Sequence, residues 1–151
     1  MRDRTTPPVE FVWAPLVPEL LVADLAVSLR FWRDLLGFTV VYDRAGEGFA
    51  FLDRAGAQVM LEERGRAQRT WETGPLQPPL GRGINFEIRS LALDPILSKL
   101  AEASWPLYLA PEEKWYRVGK VDYGQRQFLV QDPDGYLVRF AQPLGTRATV
   151  G

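Results

Sequence analysis

Two stretches decide how this chain folds: FAFLDRAGAQVML at residues 49–61 and QFLVQDPDGYLVRF at residues 127–140. Each holds an apolar, β-prone run, a tight turn, and a second apolar run. The turns run from Asp53 to Gly56 and from Asp132 to Gly135, with the same length and the same end residues. Gly supplies positive φ and Asp bonds the turn backbone, so each stretch reads as an antiparallel hairpin. One hairpin occurring twice is an internal repeat, and the search for its flanks follows from that.

Upstream of the first hairpin, Phe38 to Tyr42 (FTVVY) is β-prone and is followed by a Gly46/Gly48 turn. Before it, Asp24 stands where a helix N-cap belongs. Apolar residues follow at helical spacing (Leu25, Leu29, Trp32, Leu36), with Phe31 and Leu35 widening the face and Gly37 as the stop. Leu16 to Val22 reads as a strand, with Pro18 favouring an edge or a gap in the ladder. The second hairpin has matching flanks. Ile84 to Arg89 alternates as a strand, and Asp94-Pro95 caps a helix carrying Ile96, Leu97, Leu100 and Ala103. Leu107 to Leu109 is strand-like, and Pro111 to Gly124 reads as a loop.

The expected fold class is therefore α+β: two βαβββ modules, residues 16–62 and 83–143, in one domain spanning 16–143. A polar loop with three prolines, residues 63–82, joins them, and an arm (1–15) and a tail (144–151) flank them. Each module leaves an apolar sheet face, and pairing of the two buries it. Phe11-Val12-Trp13 makes the arm unusually apolar. It either packs on its own chain or crosses to a second subunit.

Composition removes whole classes of chemistry. The 151 residues include no cysteine and no histidine. Disulfides, thiol nucleophiles, imidazole bases, Ser-His triads and His-containing metal sites are excluded. Net charge is −1, with both signs interspersed, so neither nucleic acid nor an anionic membrane is an expected partner. No apolar run reaches 18 residues. The start, MRDRTTPPVEF, has no apolar leader core, and a cytoplasmic location is expected.

Several motifs together resemble one family. These are Val17-Pro18, Asp24 and Phe31-Trp32-x-Asp34-x-Leu36-Gly37-Phe38 at the start, with Gly48-Phe49-Ala50 after them. Tyr123-Gly124-x-Arg126-x-Phe128 and Asp132-Pro133-x-Gly135-x-x-Val138-x-Phe140 complete the set. Over residues 16–143 the sequence resembles the bleomycin-resistance branch of the vicinal-oxygen-chelate superfamily, which also contains glyoxalases and dioxygenases. The resemblance implies sheets curled into a cup, a homodimer and a small-molecule pocket. Enzymes of that superfamily hold a divalent metal at four strand positions. Here these fall near Val17, Met60 or Leu61, Gly83 and Arg139, none of which is a plausible ligand. No metal or other cofactor is expected, and the resemblance points to binding rather than catalysis.

Alternation along the strands places Glu19, Asn85, Glu87, Leu137 and Arg139 in the cup, with Glu62 beside Met60. Glu19 sits in an otherwise apolar strand, as an anchor for a cationic group or as a solvated edge charge. Glu87 and Arg139 form either a structural pair or a ligand contact. Phe49 and Tyr123 match the places of pocket aromatics in the drug-binding relatives, and flat rings suit planar heterocycles. Trp115 and Tyr116 read as a lid or a dimer contact, with Trp13 and Trp71 as similar candidates. Arg126 completes the set as a hydrogen-bond donor, as does Asn85. Asp132 and Asp134 are read as turn chemistry. Gly81-Arg82-Gly83 is read as a solvated hinge.

The expected function is non-catalytic sequestration of a planar cationic or amphipathic compound such as a bleomycin-type glycopeptide antibiotic. The alternative is a lyase, isomerase or dioxygenase with an atypical or absent metal site. It would draw its acid–base work from Glu19, Glu62 or Glu87.

Overall fold

The computed structural model describes residues 5–149 and separates into two compact units, one ending at Pro78 and one beginning at Pro79. In the first unit, β1 (Glu19–Val22) leads into α1 (Leu25–Leu29). β2 (Thr39–Arg44), β3 (Phe49–Arg54) and β4 (Ala57–Glu63) follow. The sheet order is β1-β4-β3-β2, with β1 parallel to β4 and the other pairs antiparallel. Asp24 caps α1 by accepting a hydrogen bond from the Val27 amide at 3.0 Å.

Beyond Leu29 the helix widens into a π-helical turn, Arg30–Leu35, in which the Leu36 amide donates to the Phe31 carbonyl at 3.0 Å. Phe31 and Trp32 are sequence neighbours, yet both are fully buried. A regular helix turns adjacent side chains about 100° apart. The wider turn brings both rings into the core. There they join Leu20, Val22, Ala50, Leu52, Val59 and Leu61 from the helix-facing side of the sheet.

The second unit contains β5 (Asn85–Arg89), α2 (Asp94–Glu102), β6 (Leu107–Val118), β7 (Val121–Gln131) and β8 (Leu137–Ala148). Its sheet repeats the order as β5-β8-β7-β6, again with one parallel pair, β5 with β8. Ile88, Phe128, Val130, Val138 and Phe140 form its core with Leu93, Ile96 and Leu100. The α+β class and the doubled βαβββ order match the expectation.

Local details differ from it. The strand expected from Leu16 begins at Glu19. Pro18 has no amide hydrogen and contributes only its carbonyl, which accepts from the Met60 amide. Asp94 is the first residue of α2, and Leu93 holds the cap position. The segment 111–124 is not a loop but a hairpin, Val118 pairing with Val121 across Gly119-Lys120. Residues 144–148, expected as tail, continue β8 along β7. The two aligned turns also differ. Ala55 and Gly56 both have positive φ and make a two-residue turn closed by the Arg54–Ala57 pair. The second ladder opens earlier, at Gln131–Leu137, because Pro133 stands where Arg54 pairs and has no N–H to offer. The Asp132 carboxylate then organises the turn, accepting from the Asp134 and Tyr136 amides.

Candidate ligand-binding faces

Each sheet has one face turned toward its helix and one turned away. On the first sheet, register and alternation put Glu19, Met60, Glu62, Phe49, Phe51, Tyr42 and Arg44 together on the face away from the helix. Part of this face is covered by the chain's own arm. Trp13 meets Phe51 edge-on at 5.1 Å and Tyr42 at 6.1 Å, and Phe11 meets Phe51 at 6.0 Å. One side chain holds the arm down. Gln58 accepts from the Ala14 amide at 2.8 Å and donates to the Val12 carbonyl at 2.7 Å. Of the two readings of the arm, this unit displays packing on its own chain. Trp13 is still 51% exposed.

Phe49 is buried, with the Arg44 guanidinium 3.8 Å above its ring. Arg44 in turn pairs with Glu47 at 2.7 Å. Glu62 is only 7% exposed. Burial pushes its carboxyl pKa up, and the hydrogen bond and negative charge of Glu19 push it further. Arg44 opposes this and Glu47 adds to it.

On the second sheet, the face away from the helix carries Asn85, Glu87, Arg139 and Gln127, with Tyr116 and Tyr123 opposite each other on β6 and β7. Arg139 pairs with Glu87 at 2.5 Å, while its Nε is buried with no partner. Gln127 is buried and saturated. Its amide nitrogen donates to Glu112 at 2.9 Å, and its carbonyl oxygen accepts from Gln125 at 2.7 Å. The Tyr116 hydroxyl also bonds Gln127.

Trp115 and Arg126 lie on the other face of the β6–β7 ladder. The Trp115 ring covers Gly124, where a Cβ would fall 2.6 Å from it, and Arg147 stacks on the same ring at 4.2 Å. Trp115 is thus a strand residue clamped in place and not part of a lid. Arg126 pairs with Asp94 at the start of α2 at 2.8 Å. Two of the nine expected site residues, Glu19 and Phe49, therefore share the first face. Five (Asn85, Glu87, Tyr116, Tyr123, Arg139) share the second, and two face elsewhere.

Tyr42 and Gln58 were not in the expected set, and Glu62, expected on the cup face with Glu19, was not among its nine residues. The alternation of Gln58, Met60 and Glu62 signals two of them. A bulge between Val40 and Tyr42 hides the third. The positions assigned to a metal do not fit one. Val17 and Gly83 precede their strands, Met60 offers a thioether, and Arg139 is a cation. Among the described residues no cluster of three or more Asp or Glu side chains could hold a metal ion. Among them, too, no helix is long and apolar enough to cross a membrane.

Comparison with known proteins gives a consistent picture. The profile of the Glyoxalase/Bleomycin resistance protein/Dioxygenase superfamily matches residues 14–92. A member of the same superfamily from Vibrio splendidus 12B01 is 39% identical over 83% of this chain and 95% of that one, with a TM-score of 0.38. TioX from Micromonospora sp. ML1 superposes with a TM-score of 0.67 at 20% identity, covering 87% of this chain and 99% of that one. The fosfomycin resistance protein FosX from Listeria monocytogenes gives 0.57 at 18% identity, covering 88% and 94%. No curated protein matches. At these identities TioX and FosX share the fold with this chain.

Proposed function

The chain belongs to the Glyoxalase/Bleomycin resistance protein/Dioxygenase superfamily, and on that footing we propose that it binds and sequesters a small molecule without transforming it. The observation that carries this reading is the face of the first sheet. It carries two carboxyl groups, Glu19 and Glu62, on the same sheet face as the rings of Phe49, Phe51 and Tyr42, with Trp13 packed on Phe51 and Tyr42. Flat rings and unneutralised carboxyls suit a planar ligand bearing positive charge. Capture of that kind needs affinity and no bond breaking, so a chain without His or Cys can perform it.

A bleomycin-type glycopeptide antibiotic is the named candidate. FosX, which shares the fold, is a fosfomycin resistance protein. Glu87 is neutralised by Arg139, so recognition of positive charge falls to the first face. The second face, taken by itself, offers Asn85, Tyr116 and Tyr123 as polar and stacking groups. The arm exposes Val9, Val12 and Leu16, and a homodimer covering them is part of the proposal.

A second reading has one observation in its favour. A carboxyl with a raised pKa beside another carboxyl suits acid–base chemistry, and Glu62 is such a group. Turnover of an added substrate that disappears in Glu62→Gln would favour the enzyme.

The test of the leading reading is calorimetric titration of metal-free protein with a bleomycin-class drug. Micromolar or tighter binding at about one drug per chain, with protection of expressing cells, is the expected result. No heat and no protection would contradict it.

A further inference from the structure

We propose that Trp13 is the specificity-determining residue of the first face, a platform on which a flat, positively charged ring of the ligand stacks, and that Gln58 is the residue that positions it. The proposal rests on the binding reading above and moves the choice of ligand from the sheet to the arm.

The arm is fixed in register as well as packed. Trp13 lies between the two backbone groups that Gln58 holds. The side-chain amide donates to the Val12 carbonyl at 2.7 Å and accepts from the Ala14 amide at 2.8 Å. The same nitrogen donates to the Asp53 carboxylate at 3.1 Å, on the neighbouring strand. Gln58 is itself buried. Apolar packing is non-directional and lets a segment slide. A donor and an acceptor matched to groups two residues apart admit one register, and that register seats residue 13 on Phe51 and Tyr42. Three rings then brace the indole. Phe11 meets it at 4.9 Å and 90°, Phe51 at 5.1 Å and 80°, and Tyr42 at 6.1 Å and 68°. None of them lies flat on the indole, and 51% of the residue stays open to solvent.

Comparable rings of this chain carry a cation of their own. Arg69 sits over Trp71 at 4.9 Å and Arg147 over Trp115 at 4.2 Å. On the same sheet face, Arg44 sits over Phe49 at 3.8 Å. Among the described residues none sits over Trp13. Indole has the most electron-rich face of the aromatic side chains, and a flat cation laid on it gains both electrostatic attraction and stacking area. The three bracing rings and the Gln58 clamp orient the indole before a ligand arrives, so little side-chain freedom is lost on binding. Burial alone accounts for Phe51 at 3% exposure. It does not account for a polar clamp that fixes the register of a tryptophan left half in water.

The test uses the full chain and three probes: a bleomycin-class drug, and one flat ring with and without charge, N-methylquinolinium and quinoline at pH 8. Wild type should bind the charged ring about fivefold or more tighter than the neutral one. Trp13→Leu should lose about tenfold in affinity for every charged probe that wild type binds, and Trp13→Phe should recover part of it. Gln58→Ala should weaken binding and shift the fluorescence to the red, a shift absent when Trp13 is also replaced. The double variant Trp13→Leu/Gln58→Ala should bind no worse than Trp13→Leu, because Gln58 acts through the indole. Trp13 is half-exposed on the arm, so its variants decide the matter if Gln58→Ala does not fold. Wild-type affinity in Trp13→Leu, or equal affinity for the two rings, would overturn the platform and leave the binding reading standing. A changed oligomeric state in Trp13→Leu at unchanged affinity would overturn it too, and would give the indole to a subunit contact. Binding of no probe to wild type would overturn the binding reading, and the platform with it.

Discussion

The two sheets are built on one plan and finished in opposite ways. Both run edge strand, last strand, third strand, second strand, with the edge pair parallel. The second sheet pairs most of its polar groups internally, although Arg139 Nε is buried without a partner. Glu87 has Arg139, and Gln127 engages Glu112, Gln125 and Tyr116. The first has, among the described residues, no ion pair for Glu19 or Glu62, and an arm tied down by the Gln58 side chain covers part of the same face. A satisfied network rigidifies a module. An unsatisfied pair costs stability, and a ligand can recover it. On the proposed reading the repeat keeps one topology and divides the task between its faces.

The turns give the sharpest way to break this comparison. Gly135 has φ +99°, and a Cβ there would fall 2.5 Å from the Pro79 side chain and 2.6 Å from its backbone. Gly135→Ala should cost about 3 kcal/mol or more, combining backbone strain with overpacking. Gly56 has φ +91° but open space around it, so Gly56→Ala should cost only about 1 kcal/mol. Urea melts of both variants decide, and equal losses would mean that the turns are alike after all.

Next in size is the saturated network. Gln127→Leu should destabilise by about 2 kcal/mol, because it strips partners from Glu112, Gln125 and the Tyr116 hydroxyl. A thermally neutral variant would show that the second face is not internally tied. Glu87→Gln should cost less than about 1 kcal/mol, since its pair with Arg139 is partly exposed.

The smallest effect has the opposite sign. Glu62→Gln should stabilise by less than about 1 kcal/mol by removing a like-charge neighbour. The pKa of Glu62 is raised in the folded state. Its favourable contribution is complete below the ordinary carboxyl value of about 4.3 and is lost as pH rises through the raised value. The advantage of Glu62→Gln should therefore widen from pH 4 to pH 8 in paired melting curves. A constant gap would indicate that the Glu62 pKa is not raised by folding.

The repeat was legible because burial on one face imposes period-two alternation around Asp53–Gly56 and Asp132–Gly135. Asp24 and Gly37 likewise bracket the first helix in the sequence as they do in space. The β6–β7 extension was not legible. Large parts of both its faces are exposed from Glu112 to Tyr123, so no apolar period marks it, and Pro111 argues for a break. Two valines flanking Gly119-Lys120 were the signal available. For the faces, alternation predicted that Glu87 and Arg139 would meet. It gave Trp115 and Arg126 no side, because their segment read as loop. Docking of the arm on its own chain was one of two readings open in the sequence; the choice was not legible because Gln58 binds backbone groups of Val12 and Ala14, which leave no trace in side-chain pattern.

The most direct test of this division of task is amide hydrogen exchange of the full chain with and without a bleomycin-class drug. The account predicts protection concentrated in residues 11–14 and in β1 through β4. Protection confined to β5 through β8 while the drug is bound would contradict it.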